Sequence, residues 1–316
     1  MRFPPASMST TADTTTLNAR GLTRRFGAHA AVKSVDLALK RGEVLGFLGP
    51  NGAGKTTTMQ MLTGNLAPTE GEVTICGIDL LERPAAAKAR IGYLPEVPPL
   101  YRELNVDEYL TLAVKLHRVP KPGRREAVAR AKQRCGLVDV GRKLIGTLSK
   151  GYQQRVGIAQ AIAHEPDLVI LDEPTAGLDP NQIREIRTLI RELGGTHSVI
   201  LSTHILSEVE AICDRVQILH HGAVVYSDTI GALKAFHSGR TVIVGLQNPP
   251  AEAELAAVPG VCAVERVDEK LYRLQLEGEN DPTQALVARA AEKNWGLYQL
   301  APAQTSLEDV FVNLTK

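Results

Sequence analysis

The chain has 316 residues, 44% hydrophobic but only 4% aromatic, with a formal net charge of +1. That length suits about two domains with cores of Val, Ile, Leu and Ala, and the near-neutral charge gives no electrostatic case for nucleic acid or a membrane surface as the partner. Cys76, Cys135, Cys213 and Cys262 form no C-x-x-C pair, which argues against a metal or disulfide frame and fits a reducing cytosol.

Residues 1–16 are rich in Ser, Thr, Pro and Ala and lack the apolar core of a signal peptide, so a disordered tail is expected there. No apolar run reaches the ~20 residues of a spanning helix. The chain is therefore expected to be soluble, with any membrane part supplied by another chain. Leu17 to Thr23 reads as an edge strand, followed by Phe26, an aromatic placed where a flat ring could stack on a base. Val32, Val35, Leu37 and Leu39 predict a half-buried strand, turned at Arg41-Gly42 into a short apolar strand over Glu43 to Leu48.

That strand runs into GPNGAGKT, Gly49 to Thr56, which meets G-x-x-x-x-G-K-[ST] at every fixed position. Gly49, Gly52 and Gly54 let the backbone around Pro50, Asn51 and Ala53 turn its N–H groups toward one anion. A helix predicted from Thr57 to Leu62 adds its positive end at the same point. In such a loop Lys55 reaches the β- and γ-phosphates of a nucleotide and the Thr56 hydroxyl holds Mg²⁺.

Beyond it, Gly71 to Ile75 and Ile91 to Leu94 read as strands around a weak helix at Ala85 to Ala89. Pro95 and Pro98-Pro99 then break the chain before a helix-rich stretch that runs to about His164. Asn105 and Glu108 make a capping-box pattern ahead of Tyr109, Leu110, Leu112 and Leu116. Gly123 to Cys135 predicts a basic helix with a solvated charged face, stopped by Gly136. Ser149-Lys150-Gly151-Tyr152 opens the next helix. Leu168-Val169-Ile170-Leu171 is a continuous apolar run of the kind found in a fully buried parallel strand, and it ends in Asp172-Glu173. Asp179-Pro180 starts a helix lined by Ile183, Ile186, Ile190 and Leu193. Ser198 to Thr203 is a further strand with His204 at its carboxyl end. Alternating strands and helices imply a mainly parallel sheet that binds ligands at the strands' carboxyl ends. Asp172 then suits Mg²⁺ held through water, Glu173 suits polarising the attacking water, and His204 could bond the γ-phosphate.

From about Leu17 to Tyr226 the order of these pieces resembles the nucleotide-binding subunit of ATP-binding cassette (ABC) transporters. Phe26 resembles the adenine-stacking aromatic, Gly49 to Thr56 with Thr57 the Walker A loop, and Leu168 to Asp172 the Walker B strand. Glu173 resembles the catalytic carboxylate, Ala176 to Asp179 the D-loop and His204 the switch histidine. Leu148 to Tyr152 resembles the LSGGQ signature, with Lys150 and Tyr152 departing from it and Ser149 and Gly151 retained. Glu96 stands where the family has its Q-loop glutamine, so a carboxylate would face the metal instead of an amide. The resemblance implies an α/β P-loop NTPase fold with a RecA-like core and a helical subdomain at about 97–165. It also implies ATP and Mg²⁺ as ligands, and a homodimer or paired ABC subunit in which Ser149 and Gly151 complete the site of the other copy.

After Tyr226 the pattern changes to β-α-β-β-α-β, that of a small α+β ferredoxin-like domain. The elements are Thr241 to Gly245, Ala251 to Ala257, Val261 to Glu265, Leu271 to Leu276, Pro282 to Trp295 and Gly296 to Leu300, with a last helix capped at Ser306. The expected domains are 17–230 for the ATPase and 238–316 for the accessory part. A small-molecule sensor and a packing or dimerisation module both fit that part, and packing is favoured for want of a catalytic cluster. The region, Leu307 to Phe311 included, resembles the accessory domain of ABC-2-type export ATPases. The resemblance thus implies an ATPase subunit that energises a separate ABC-2-type integral-membrane permease, held at the cytoplasmic face of the cell membrane. The alternative, a soluble ABC ATPase acting on nucleic acid or ribosomes, is disfavoured by the single cassette, the near-zero charge and the lack of a heptad array.

Overall fold

The computed structural model describes residues 15–233, 241–276 and 283–302. The chain divides into two compact units, Met1–Asp228 and Thr229–Lys316.

The first unit is built on two sheets. Strands β1 (Thr15–Phe26), β2 (His29–Lys40), β4 (Glu70–Ile75) and β5 (Ile78–Asp79) form an antiparallel sheet in the order β2-β1-β4-β5. β1 is thus an interior strand, not the edge strand its sequence predicts, because β4 pairs along its free side from Leu17 opposite Ile75 to Thr23 opposite Glu70. The second sheet holds β3 (Val44–Leu48), β6 (Ile91–Leu94), β7 (Leu168–Asp172), β8 (Ser198–Thr203), β9 (Arg215–His220) and β10 (Ala223–Thr229). Its order is β10-β9-β3-β8-β7-β6. Pairing is parallel from β6 through β9. Every residue of β3, β7 and β8 is buried, as a parallel sheet covered on both faces requires.

Helix α1 (Lys55–Leu62) leaves the end of β3 and packs against strands of both sheets. Its Met59, Met61 and Leu62 join Leu17, Phe47 and Ile170 in one core. A five-residue helix, α2 (Pro84–Lys88), precedes β6. Helices α3 (Val106–Leu116), α4 (Arg124–Arg134) and α5 (Lys150–Ile162) pack on one another, and α5 also packs on β6 and β7. The capping box of Asn105 and Glu108 is formed in both directions. The buried face of α3 is Val106, Tyr109, Leu110, Ala113 and Val114, whereas Leu116, expected inside, is 71% exposed. Gly136 ends α4 in the left-handed region at φ 64, where a Cβ would be strained. Helix α6 (Pro180–Gly194) is capped by Asp179, whose carboxylate accepts from the N–H groups of Asn181 and Gln182. It turns Ile186, Leu189, Ile190 and Leu193 inward, leaving Ile183 only half-buried. Helix α7 (Leu206–Ile212) follows β8.

The second unit, taken by itself, contains β11 (Thr241–Leu246), α8 (Glu252–Ala256), β12 (Val261–Asp268), β13 (Leu271–Leu276), α9 (Thr283–Glu292) and β14 (Leu297–Pro302). Its sheet order is β12-β13-β11-β14, antiparallel throughout. This is the split β-α-β arrangement of a ferredoxin-like unit. Leu246, Leu255, Tyr272, Leu274, Leu286 and Trp295 fill its core. Of the expected tail, residues 1–14 lie outside the described residues, whereas Thr15 and Thr16 already belong to β1, paired with β2 from Thr15 opposite Lys40. The expected helix after Ser306 lies outside the described residues.

Candidate functional site

The segment between β3 and α1 takes its shape from two close approaches. A Cβ at Gly49 would sit 2.5 Å from the Leu219 carbonyl oxygen, and one at Gly54 would sit 2.5 Å from that of Ala31. Gly54 is also the N-cap of α1 at φ 104. Neither position has room for a side chain. No acidic residue occupies the first turn of α1, so its amides and positive end are left to an anion.

These residues open onto a cavity of about 400 Å³ lined by Ala31, Asn51, Gly52, Gly54, Lys55, Thr56, Thr57, Glu96, Glu173, Ala176 and His204. Lys55 is buried, and its ammonium donates to the carbonyls of Gly49 at 2.8 Å and Pro50 at 3.3 Å. Its Nζ also lies 3.4 Å from Glu173 Oε1. The other oxygen of Glu173 is 2.9 Å from His204 Nδ1. Glu173 itself has φ 48, an uncommon value for a residue with a side chain, while its N–H donates to the Ser202 carbonyl at 2.9 Å. That hydrogen bond ties the strained turn to β8. A carboxylate, an ammonium and an imidazole therefore meet at the carboxyl ends of β3, β7 and β8.

Asp172, at the end of β7, is fully buried, and neither carboxylate oxygen has a hydrogen-bond partner among the described residues. A buried charge left this way is costly unless a cation or water completes it. The Asp172 carboxylate fits a hard divalent ion, which prefers carboxylate and hydroxyl oxygens, although Asp172 does not itself line the cavity, whereas Thr56 and Glu96 do. Burial first, and the Asp172 charge second, push the neighbouring Tyr93 phenol up to about 12, so Tyr93 stays a neutral wall beside that carboxylate.

Not every expected residue is gathered here. Phe26 ends β1, is 49% exposed, and does not line the cavity. The Arg24 guanidinium lies 4.7 Å over one face of its ring. Ser149 and Gly151 are likewise absent from the wall. Ser149 is the exposed N-cap of α5, and Gly151 is buried beneath Gln182, whose Cδ would stand 2.6 Å from an added Cβ. Lys150 crosses to the D-loop segment, its Nζ 2.2 Å from where a Cβ on Gly177 would lie. Glu96 lines both this cavity and a second cleft shared with Lys150, Gln153 and Gln154. One wall residue escapes sequence reading: Ala31 is an alanine on β2 that carries no chemical signal.

Residues 32–176 match the family model described as ABC transporter. A second model, described as AAA domain, putative AbiEii toxin, Type IV TA system, matches residues 145–210. The chain is 33% identical over 306 residues to the daunorubicin resistance ATP-binding protein DrrA3 of Streptomyces coeruleorubidus, covering 95% of this chain and 96% of that one. It is 31% identical over 304 residues to the linearmycin resistance ATP-binding protein LnrL of Bacillus subtilis, covering 95% and 98%. Among solved structures it is similar to an ATP-binding cassette described as a dimer in a post-hydrolysis state with ADP and phosphate. That match has a TM-score of 0.60 and 27% identity, over 68% of this chain and 98% of that one.

Proposed function

The chain belongs to the ABC transporter family, and from that premise we propose that two copies of it, or one copy and a paired ABC subunit, drive a separate ABC-2-type permease by closing on ATP and reopening after hydrolysis. It is an ATP-binding and ATP-hydrolysing subunit whose catalysis is coupled to transport. The observation that carries the residue assignment is the contact of Glu173 with both Lys55 and His204, at 3.4 and 2.9 Å, on the wall of a glycine-shaped phosphate cavity.

In this reading the triphosphate lies along the N–H groups of residues 49–57, with its β- and γ-phosphates on Lys55. Phe26 offers its uncovered ring face to adenine. Glu173 accepts the proton of the attacking water as its oxygen bonds to the γ-phosphorus, and the bond from that phosphorus to the β–γ bridging oxygen breaks, releasing ADP and inorganic phosphate. His204 orients the Glu173 carboxylate and reaches the γ-phosphate. Thr56 and Asp172, with Glu96 at the rim, would hold Mg²⁺, which would supply positive charge to the phosphate oxygens.

Ser149 and Gly151 serve the nucleotide of the opposite copy, which accounts for their position off their own cavity wall. ATP closes such a pair only through its greater affinity for the closed form, and cleavage removes that difference. The resistance proteins among the relatives support export of a drug-like compound. No helix among the described residues is long and apolar enough to cross a membrane; in this reading the permease holds the subunit at the cytoplasmic face of the cell membrane. The ferredoxin-like unit is read as a packing module. The named relatives are resistance proteins, and neither favours action on nucleic acid or ribosomes.

The direct test is to capture the tagged full chain from membranes and assay the captured material for ATP hydrolysis. Co-purification of a multi-span membrane protein with ATPase activity is expected. A chain that hydrolyses ATP but brings down no membrane protein contradicts the permease assignment.

A further inference from the structure

Glu208, on α7, has a side chain that is fully buried. A buried carboxylate needs partners, and the two hydroxyls that donate to Glu208 lie on the segments that carry the catalytic groups. One oxygen accepts the Thr175 hydroxyl at 2.5 Å, and the other accepts the Thr203 hydroxyl at 2.8 Å. Thr175 is two residues beyond Glu173, within the turn in which the Ala176 N–H donates to the Glu173 carbonyl at 3.1 Å. Thr203 immediately precedes His204, and its carbonyl accepts the Gly49 N–H at 3.3 Å. Its hydroxyl also accepts the Ile205 N–H at 3.1 Å, fixing the direction in which the chain leaves β8. The Arg187 guanidinium on α6 stands 3.8 Å from the same carboxylate and donates to the Ser207 hydroxyl at 3.2 Å.

The geometry points to Glu208 as a positioning residue for hydrolysis: one buried carboxylate clamps the turn after Glu173 to the end of β8, and so sets the distance between Glu173 and His204. Three features support this over simple core packing. Both hydroxyls are spent on one side chain, and they come from the two sides of the Glu173–His204 contact, Thr175 from the turn after Glu173 and Thr203 from the last position of β8. Glu173 also holds a left-handed backbone at φ 48, which persists only where surrounding contacts over-determine it. The clamp supplies one such contact through Thr175, and the Ser202 carbonyl supplies another.

The inference rests on the roles assigned to Glu173 and His204 above, and the two can fail separately. If that assignment is wrong, the Glu173→Gln chain hydrolyses ATP at the parent rate. If the clamp is wrong, Glu173→Gln is slow but the clamp variants are not. In the purified full chain, Glu208→Ala removes both bonds and is expected to lower kcat by about 10- to 100-fold, the scale on which small misplacements act. ATP affinity is expected to change little, since no clamp residue lines the cavity. Glu208→Gln restores kcat to within a few-fold, because a threonine hydroxyl can either donate to or accept from an amide. Thr175→Val and Thr203→Val each remove one tie at nearly constant volume, and they decide the matter if Glu208→Ala does not fold. Intermediate losses of kcat in both, no larger when either is combined with Glu208→Gln than the loss in Glu208→Ala, are the expected result. Parent kcat per folded molecule in both valine variants overturns the proposal, as does an equal loss in Glu208→Gln and Glu208→Ala.

Discussion

Lys55 Nζ and Glu173 Oε1 face each other at 3.4 Å, both side chains buried, at the mouth of the phosphate cavity. The pair joins the residue assigned to the phosphates to the one assigned to the attacking water, so the two roles can be separated by substitution. Replacing Glu173 with Gln keeps the shape and removes the base. Hydrolysis is expected to slow by about 10²–10⁴-fold, while ATP binding is retained. Single-turnover phosphate release beside equilibrium nucleotide titration checks both halves, and parent-rate turnover would remove Glu173 from the chemistry.

Lys55→Ala acts on the other partner. Its ammonium holds the Gly49 and Pro50 carbonyls as well as facing Glu173, and hydrogen bonds to a charged group contribute about 1.5–3 kcal/mol each. ATP affinity is expected to drop by about 10- to 100-fold. Titration calorimetry on the purified chain measures it; an unchanged Kd would mean that the cradle does not hold the phosphates.

Glu96 marks the departure from the family pattern with the sharpest chemical consequence. A carboxylate on the cavity wall adds negative charge beside the phosphates unless a cation screens it. Glu96→Gln is therefore expected to raise the Mg²⁺ concentration needed for half-maximal hydrolysis, since one candidate ligand is lost. Superimposable Mg²⁺ curves for the two chains would make the substitution incidental to the metal.

Much of this site is legible in the sequence because its requirements fall on residue types. Gly49 and Gly54 are forced by backbone oxygens within 2.5 Å of any Cβ, Lys55 by charge, and the Leu168 to Leu171 run by burial on both faces. What stays hidden is set by chain segments far apart. β1 reads as an edge strand because β4, which covers its free side, arrives some fifty residues later. Leu116 fits a helical stripe, yet the face that packs runs through Val106, Tyr109, Ala113 and Val114 and has turned away by that point. Nothing in the sequence singles out Glu208. Only the approach of Thr175 and Thr203 gives it a purpose.

A stacked pair of histidines carries a pH dependence of stability. The rings of His117 and His164 lie 3.6 Å apart, nearly parallel at 9°. Burial, with His117 beside it, lowers His164 from 6.5 to about 4, and burial lowers His117 as well. As pH falls below 6.5 the unfolded chain takes up protons that the folded chain refuses, so stability is present above that value and is lost progressively down to about 4. Thermal midpoints should fall across that window, and fall less steeply in His164→Gln. Parallel curves for the two chains would acquit the pair.

Ser149 offers the cleanest probe of the two-copy site. It is the N-cap of α5, accepting the Tyr152 N–H at 3.4 Å, and it is exposed and off its own cavity wall. Aspartate caps a helix about as well as serine, so Ser149→Asp keeps α5 while adding a negative charge where the opposite copy's γ-phosphate would lie. In the Glu173→Gln background, ATP is expected to assemble the parent chain into a dimer that sediments as such. The added carboxylate should abolish that dimer and leave ATP binding to the single chain within a few-fold. Like charges at contact distance repel strongly where water is excluded, whereas the chain's own cavity does not include Ser149. A dimer that persists with both substitutions would mean that the signature serine does not meet the nucleotide of a second copy.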